Sequence, residues 1–391
     1  MTGSAQITIG ASRLAADPSL LPGENSSLGL LTNYTGTMPD LGRNIDALRD
    51  AGLRLTALFS PEHGLWGSAQ AGDSEPGGID EATGLPIYDT YRKSGPELDA
   101  LLAESGVSRV LVDLADLGLR FYTYIWSVFD LMLSAARLGI AVTVLDRPNP
   151  LSGLPAQGPG LDPSCSSFVG RVSIPIIHGL TLGELSRHFN ATEIAERAGA
   201  QVDLSVITVQ DWDRHAPVLS QTEPWVPPSP NIPTAQSALV YAGSCLFEGT
   251  NASEGRGTTH PFESIGAGYV DGRYAAALRE LQLPGVMFRD QYVVPTFSKW
   301  QGVRIRGVQL HVTDPQTYQP LHTAVTMLQL MASLYPDDFA FLEARSPERP
   351  PAIDLLWGSD VLRRSTADPL DQLIAASPAP RTSDEDISLY A

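Results

Sequence analysis

The chain has 391 residues, 43% hydrophobic and 18% charged, with 26 Lys and Arg against 44 Asp and Glu, a formal charge of −18. A single hydrophobic core rarely grows past about 250–300 residues, so two domains are expected. The composition excludes a wholly disordered chain, the aperiodic 35 Gly and 31 Pro exclude collagen, and so acidic a chain argues against nucleic-acid binding, which depends on clustered cations.

Residues 28–32 are a short apolar run ending in the polar Asn33-Tyr34-Thr35-Gly36. Residues 42–51 carry Ile45 and Leu48 at helical spacing and stop at Gly52, a fitting residue beyond a helix C-terminus. Strands are expected over 53–59 and 109–114, with a helix over 97–105 between them closing at Gly106. A helix over 126–138, closing at Gly139, leads to a strand over 140–145 that Asp146-Arg147-Pro148-Asn149-Pro150 stops. Thr181 with Glu184 three residues on is a capping box for a helix over 181–190, and 202–209 returns as a strand. Strands alternating with helices of this length predict an α/β fold with a mostly parallel sheet covered on both faces.

Five prolines among residues 223–234 exclude helix and central strand there, marking a domain boundary, a binding loop, or both. Residues 303–312 alternate as a strand, and the Pro-, Ser- and acid-rich tail 376–391 is expected to be loosely held. The most apolar stretch, residues 121–145, is interrupted by Asp130 and Arg137 and does not read as membrane-spanning. Cys165 and Cys245 are expected as reduced, buried thiols. No secretory signal is visible at the start, so a cytoplasmic protein is expected.

Ligands of such sheets sit beyond the carboxyl ends of the strands. Ser60-Pro61-Glu62-His63-Gly64, Asp113-Leu114-Ala115-Asp116 and Asp146-Arg147-Pro148-Asn149 all fall at such ends. A Glu62 carboxyl shielded by Leu58, Phe59 and Trp66 has its charged form disfavoured, which suits a general acid. The plainer alternative is a loop glutamate paired with an arginine. Phe121-Tyr122-Thr123-Tyr124 and Trp126 are either a stacking floor for a sugar ring or core. Arg147 either clamps a carboxylate or structures its own turn.

A second polar concentration lies at Pro228-Ser229-Pro230-Asn231 and over 248–259, where Glu248, Asn251, Glu254 and Arg256 sit among three glycines. This is a ligand loop or a solvated surface loop. It lacks the Walker lysine and the dinucleotide spacing. The seven histidines include no His-x-x-x-His or His-x-His pair, so no metal and no cofactor is expected, although His63, His178 and His260 can converge in space.

Five strings together carry a resemblance. Ser60-Pro61-Glu62-His63-Gly64, Arg120-Phe121-Tyr122-Thr123-Tyr124, Leu145-Asp146-Arg147-Pro148-Asn149-Pro150, Pro228-Ser229-Pro230-Asn231-Ile232-Pro233, and Phe247-Glu248-Gly249-Thr250-Asn251 through Glu254-Gly255-Arg256-Gly257-Thr258 resemble the bacterial exo-β-N-acetylmuramidase family, long catalogued as a domain of unknown function. Leu180-Thr181-Leu182-Gly183-Glu184-Leu185 adds a sixth. The resemblance implies a Rossmann-like catalytic domain, residues 1–233, and a smaller α+β auxiliary domain, residues 234–391, that completes the cleft. It also implies release of N-acetylmuramic acid (MurNAc) from the non-reducing end of peptidoglycan fragments; from charge and hydropathy, no nucleic-acid or membrane partner is expected. The absent signal suggests cytoplasmic salvage of muropeptide sugars.

Glu62 matches the glutamate that the resemblance implies is catalytic. Glycoside cleavage needs a proton donor and a second carboxylate or its equivalent. Asp116, Glu248 and Glu254 are the candidates for the second group, unless the substrate's acetamido group acts as nucleophile. Arg147 or Arg256 is expected to read the lactyl carboxylate of MurNAc, and Tyr122, Tyr124 or Trp126 to pack on the ring. His63, Asn231 and Asn251 complete the expected binding set. A sugar-binding protein without activity, and a metal-dependent hydrolase using His63 with nearby carboxylates, are the alternatives.

Overall fold

The computed structural model describes residues 7–23, 27–220, 224–381 and 387–390. Seven strands form the larger sheet: β1 Leu28–Thr32, β2 Leu55–Ser60, β3 Gly78–Ile79, β4 Pro86–Asp89, β5 Arg109–Asp113, β6 Ala141–Leu145 and β7 Leu204–Ile207. Their order is β3-β4-β2-β1-β5-β6-β7, parallel throughout except for β3. With β3 set aside this is the doubly wound order of a Rossmann fold, and the direction of winding reverses between β1 and β5. In sheets of this order such a point is where ligands generally bind, because the connections leave the two strand ends in opposite directions.

The strands are buried on both faces. Leu28 and Leu30 of β1, Leu58 of β2, Leu111 of β5 and Leu145 of β6 pack on one side with Ala11, Leu14, Ile45 and Leu48 from two short helices. Leu31, Phe59, Val110, Val112, Val142 and Val144 pack on the other against the long helix Tyr124–Leu138. Alternate side chains of a strand point to opposite faces, so two helical layers are needed to cover them. The helices Pro96–Ser105 and Tyr124–Leu138 close on Gly106 and Gly139, both left-handed, at the C-terminal positions read from the sequence. The capping box at Thr181 forms, but the helix it opens, Leu182–Phe189, passes through a π-helical turn at Asn190–Ile194 and ends only at Ala198.

A second, antiparallel sheet has the order β8-β10-β9, formed by β8 Ser264–Ala267, β9 Val286–Val293 and β10 Ile305–Val312. Helices Ala235–Ser244, Gly272–Glu280 and Pro320–Leu334 pack around it. The apolar core on the second face of the larger sheet runs without a break into this region, through Tyr241, Phe262, Val308 and Trp357.

Arg120 joins the two parts. It is wholly buried, and its guanidinium donates to the carbonyls of Pro159 (2.6 Å), Ile174 (2.9 Å), Leu356 (3.1 Å) and Trp357 (2.6 Å). The last two carbonyls end the helix Ala352–Trp357, where backbone acceptors lack helical partners and a cation is favourable.

The tail is held, contrary to the expectation from its composition. The Pro378 carbonyl accepts from the Gly160 amide, the Ala379 carbonyl accepts from Ser173, and Arg381 pairs with Glu193. Residues 382–386 and 391 lie outside the described residues. Beyond them, the Tyr390 hydroxyl donates to Asp146 (2.6 Å), the Leu389 amide donates to Glu184 (3.0 Å), and the Tyr390 ring meets Trp212 edge-on. Specific partners therefore outweigh the polar composition here.

Asp146 also accepts from Thr181 Oγ1 and the Gly183 amide, yet burial dominates and pushes its carboxyl up to about 6. A carboxyl whose folded pKa stands above its unfolded value binds its proton more tightly when folded. Its contribution to stability is complete below about pH 4 and is lost as pH rises through about 6. Urea unfolding at pH 4.5 and pH 7 should therefore show the stability difference moving in favour of Asp146→Asn as pH rises. A difference that does not move with pH contradicts this.

Candidate active site

Ser60 ends β2, and its carbonyl accepts both the Thr90 amide (3.0 Å) and the Thr90 hydroxyl (2.8 Å). Glu62 follows two residues later at the carboxyl edge, 8% exposed. Its Oε1 accepts from the Gly72 amide at 2.6 Å, and its Oε2 accepts from the Thr123 hydroxyl. One contact comes from its own loop and the other from the start of the helix Tyr124–Leu138, so the carboxyl is fixed from two directions. Burial first, and then the Glu62 charge, raise the hydroxyl pKa of Tyr91; burial and Glu62 also raise Tyr34 to about 12. Both phenols therefore stay protonated beside the carboxyl.

His63 takes the left-handed conformation, φ 72°. Its amide donates to the Asp73 carbonyl (3.0 Å), and its Nδ1 lies 3.0 Å from the Ala69 carbonyl, which requires the proton on Nδ1. His63 thus closes the loop that carries Gly72. Trp66, expected as a shield for Glu62, is 51% exposed and lies under the Arg43 guanidinium; the shielding aromatics are Tyr34 and Tyr91.

Tyr122 and Tyr124 do not form a stacking floor. Both are buried, and both hydroxyls donate to the Pro228 carbonyl at 2.7 Å. Asn33 Nδ2 donates to the Tyr124 hydroxyl (2.7 Å), and Asn33 Oδ1 accepts from Thr35. Trp126 is core, packed on Phe129 and Phe189. Large aromatics at a helix start found burial here because the proline-rich segment folds back over them and supplies an acceptor. Residues 224–234 contain no helix or strand, as the prolines require.

Asp116 lies beyond β5, beside the winding reversal. Its Oδ2 accepts from the Gly118 amide (2.7 Å) and faces His178 Nε2 at 3.5 Å, whereas its Oδ1 is buried without a hydrogen-bond partner among the described residues. His178 Nδ1 accepts from the Leu180 amide, which leaves the proton on Nε2, toward Asp116. Asn231, three residues past Pro228, is buried with its Nδ2 unpartnered.

The remaining expected residues are committed to internal contacts. Arg147 donates to both oxygens of Asp113 (2.5 and 3.0 Å) and to the Thr37 carbonyl, and Asp113 is fully buried. The lactyl-reading role expected for it is therefore replaced by a bidentate internal pair. Asn251 uses its amide the same way: Nδ2 donates to the Asp338 carbonyl, and Oδ1 accepts from Tyr269 and the Ala340 amide. Arg256 binds Glu248 (2.5 Å) and lies 3.4 Å from Glu254, whose other oxygen pairs with Lys299 (2.7 Å). Burial opposes the Arg256 charge, but the two glutamates outweigh it and hold its pKa above the ordinary value. Among the described residues no three His, Cys, Asp or Glu gather as a metal cluster, and His260 sits 3.9 Å from Glu263.

Sequence reasoning did not single out Asn33, Tyr34, Tyr91 or Thr123, and it named His178 only as a histidine that could converge. Asn33 and Tyr34 stood directly after the first strand, a position that marks ligand loops in this fold. Thr123 carried no signal apart from its place in the Arg120–Tyr124 string, and Tyr91 none.

A Rossmann-type sheet with an oriented, shielded glutamate at its carboxyl edge, and a second buried carboxylate across the winding reversal, is an arrangement that acid–base hydrolysis can use. Residues 28–236 match the N-terminal model of the exo-β-N-acetylmuramidase NamZ family, and residues 239–376 match its C-terminal model. The chain is 43% identical over 321 residues to the peptidoglycan β-N-acetylmuramidase NamZ of Bacillus subtilis, covering 82% of this chain and 76% of that protein. Two crystal structures of DUF1343 family proteins from Bacteroides fragilis share the fold. One is 32% identical with a TM-score of 0.81, covering 92% of this chain and 91% of the other. The second is 28% identical with a TM-score of 0.70, covering 95% and 94%. The chain belongs to the NamZ exo-β-N-acetylmuramidase family.

Removing Arg147 should act on stability rather than specificity. Arg147→Leu leaves Asp113 as a buried charge with Asn44 alone, and breaking such a pair costs about 3–5 kcal/mol. Urea unfolding should show a loss of that order. Near-normal stability with a reduced preference for MurNAc over N-acetylglucosamine glycosides would return Arg147 to the substrate.

Proposed function

We propose that this chain is an exo-acting β-N-acetylmuramidase that releases MurNAc from the non-reducing end of peptidoglycan fragments, with Glu62 as general acid and Asp116 as the second carboxylate. The observation that carries the reading is Glu62 itself, a buried carboxyl at the carboxyl edge of the sheet, fixed by Gly72 and Thr123 and walled by Tyr34 and Tyr91. Such a group can deliver a proton to the glycosidic oxygen from a defined direction.

Three carboxylates compete for the second role, and their charge environments separate them. Glu248 and Glu254 face Arg256, and Glu254 also faces Lys299, so both are neutralised where they stand. Asp116 has one buried oxygen without a partner among the described residues, and its other oxygen accepts from the Gly118 amide and faces His178 at 3.5 Å. It is the carboxylate free to face a developing positive charge at the anomeric carbon, or to hold an acetamido group that attacks it. With Arg147 and Arg256 both paired, the unpartnered Asn231 Nδ2 supports a neutral amide as the donor to a substituent of the sugar.

No helix among the described residues is long and apolar enough to cross a membrane. The free, buried thiols of Cys165 and Cys245, whose pKa values burial raises, suit a reducing compartment and support a salvage role in the cytoplasm.

The test is Glu62→Gln on a MurNAc–N-acetylglucosamine disaccharide. The amide keeps the shape but cannot donate an acidic proton, so kcat should fall about 10²- to 10⁴-fold with little change in KM. A glycoside with a good leaving group should lose less. Asp116→Asn should also lose kcat, and more than Glu248→Gln. Retention of most disaccharide activity by Glu62→Gln overturns the acid, and a larger kcat loss in Glu248→Gln than in Asp116→Asn overturns the second assignment.

A further inference from the structure

A dish of about 550 Å³ lies beside the Glu62 loop, lined by Arg43, Trp66, Ile79, Glu81 and Ala82. Trp66 and Ile79 are 51% and 61% exposed there, an open apolar surface on an otherwise polar rim. We propose that this dish is the subsite for the leaving sugar, the pyranose that follows MurNAc, with Trp66 as its stacking platform; the proposal rests on the reading of Glu62 as the acid.

The Trp66 ring is held in place before any ligand arrives. Its amide donates to Glu75 Oε2 (2.9 Å), and the same carboxylate takes the amide (2.9 Å) and hydroxyl (2.6 Å) of Ser68. Arg43 lies 5.4 Å from the ring centroid and is itself fixed by Asp46 (2.9 Å) and the buried Asp80 (3.0 Å). A platform already immobilised on one side loses little entropy on binding.

The chemistry of the dish matches a pyranose, which has an apolar C–H face and a hydroxyl rim. Trp66 and Ile79 suit the face, and the Glu81 carboxylate suits the hydroxyls. Position supports the assignment. Trp66 stands four residues past Glu62 on a loop whose far side returns through Gly72 to bond the Glu62 carboxyl. Gly67, at φ 75°, lies so close to the Tyr34 ring that a Cβ there would clash, so the Trp66 backbone rests on an aromatic that also feels the Glu62 charge. A general acid protonates the oxygen of the leaving group, so the leaving sugar lies on the acid's side of the bond. Here the loop that carries the acid also carries an exposed tryptophan.

The experiment compares Trp66→Ala and Trp66→Phe with the wild-type protein on three probes: the MurNAc–N-acetylglucosamine disaccharide, methyl β-MurNAc, and free N-acetylglucosamine as a product inhibitor. Trp66→Ala should raise KM for the disaccharide about tenfold, the scale of one lost aromatic contact. It should weaken inhibition by N-acetylglucosamine in parallel, while the methyl glycoside, which has no leaving sugar, falls far less. Trp66→Phe should restore most of both. Equal losses on disaccharide and methyl glycoside, or unchanged inhibition by N-acetylglucosamine, each overturn the subsite while leaving Glu62 in place. Hydrolysis of neither glycoside by the wild-type protein overturns the reading of Glu62 and the subsite with it.

Discussion

Arg120 is a wholly buried cation with no carboxylate paired to it among the described residues, and the structure of the site depends on the backbone carbonyls that receive it. Burial pulls its pKa down to about 9, still well above neutrality, so the charge remains. Four backbone carbonyls receive its two Nη groups, two from the segment between β6 and β7 and two from the end of the helix Ala352–Trp357, while its Nε has no partner among the described residues. An arginine buried in this way needs all its acceptors at once, which fixes distant segments against each other. The next residues in the chain are then placed to work: Tyr122 and Tyr124 reach the Pro228 carbonyl, and Thr123 reaches Glu62. One five-residue string therefore joins the Glu62 loop, the proline-rich segment and the C-terminal region.

A net charge of −18 makes it notable that the arginines near the site are paired inside the protein. Arg147 neutralises Asp113 at the end of β5, and Arg256 and Lys299 neutralise Glu248 and Glu254. Clustered carboxylates repel one another when buried, and these pairs remove most of that repulsion. What they leave behind is informative. Asp116 keeps a buried oxygen without a partner among the described residues, and Glu62 accepts from the neutral donors Gly72 and Thr123, so neither is neutralised by a cation there. The field around the site is thus set by which acids lack a cation, and not by free cations waiting for an anionic ligand.

Much of the fold was legible. The strands from β1 to β7 that are buried on both faces are continuous runs of Leu, Val and Ile, and their ends coincide with turn-forming polar strings. The strands that were missed lack that signature. β3 is two exposed residues, β4 begins on a proline near the sheet edge, β8 is only four residues with Gly266 inside it, and β9 is interrupted by Arg289, Asp290 and Gln291. At the candidate site, Glu62 and Asp116 stand beyond the ends of β2 and β5, where the sequence reading placed them. The partners of each side chain were not visible. Arg147 and Asn251 looked like ligand groups because residue type alone cannot tell whether a donor meets a substrate or a carbonyl a hundred residues away. The tail misled for the same reason, since its composition is that of a free end and only Asp146, Glu184 and Glu193 reveal what holds it.

The most direct test is a crystal structure of the Glu62→Gln variant with the MurNAc–N-acetylglucosamine disaccharide bound. The predicted result places the glycosidic oxygen within hydrogen-bonding reach of the residue 62 side chain, about 2.6–3.2 Å. It also places the Asp116 carboxyl against the MurNAc ring or its acetamido group. A disaccharide seated instead among Glu248, Glu254 and Arg256, with residue 62 out of reach of the scissile bond, would contradict it.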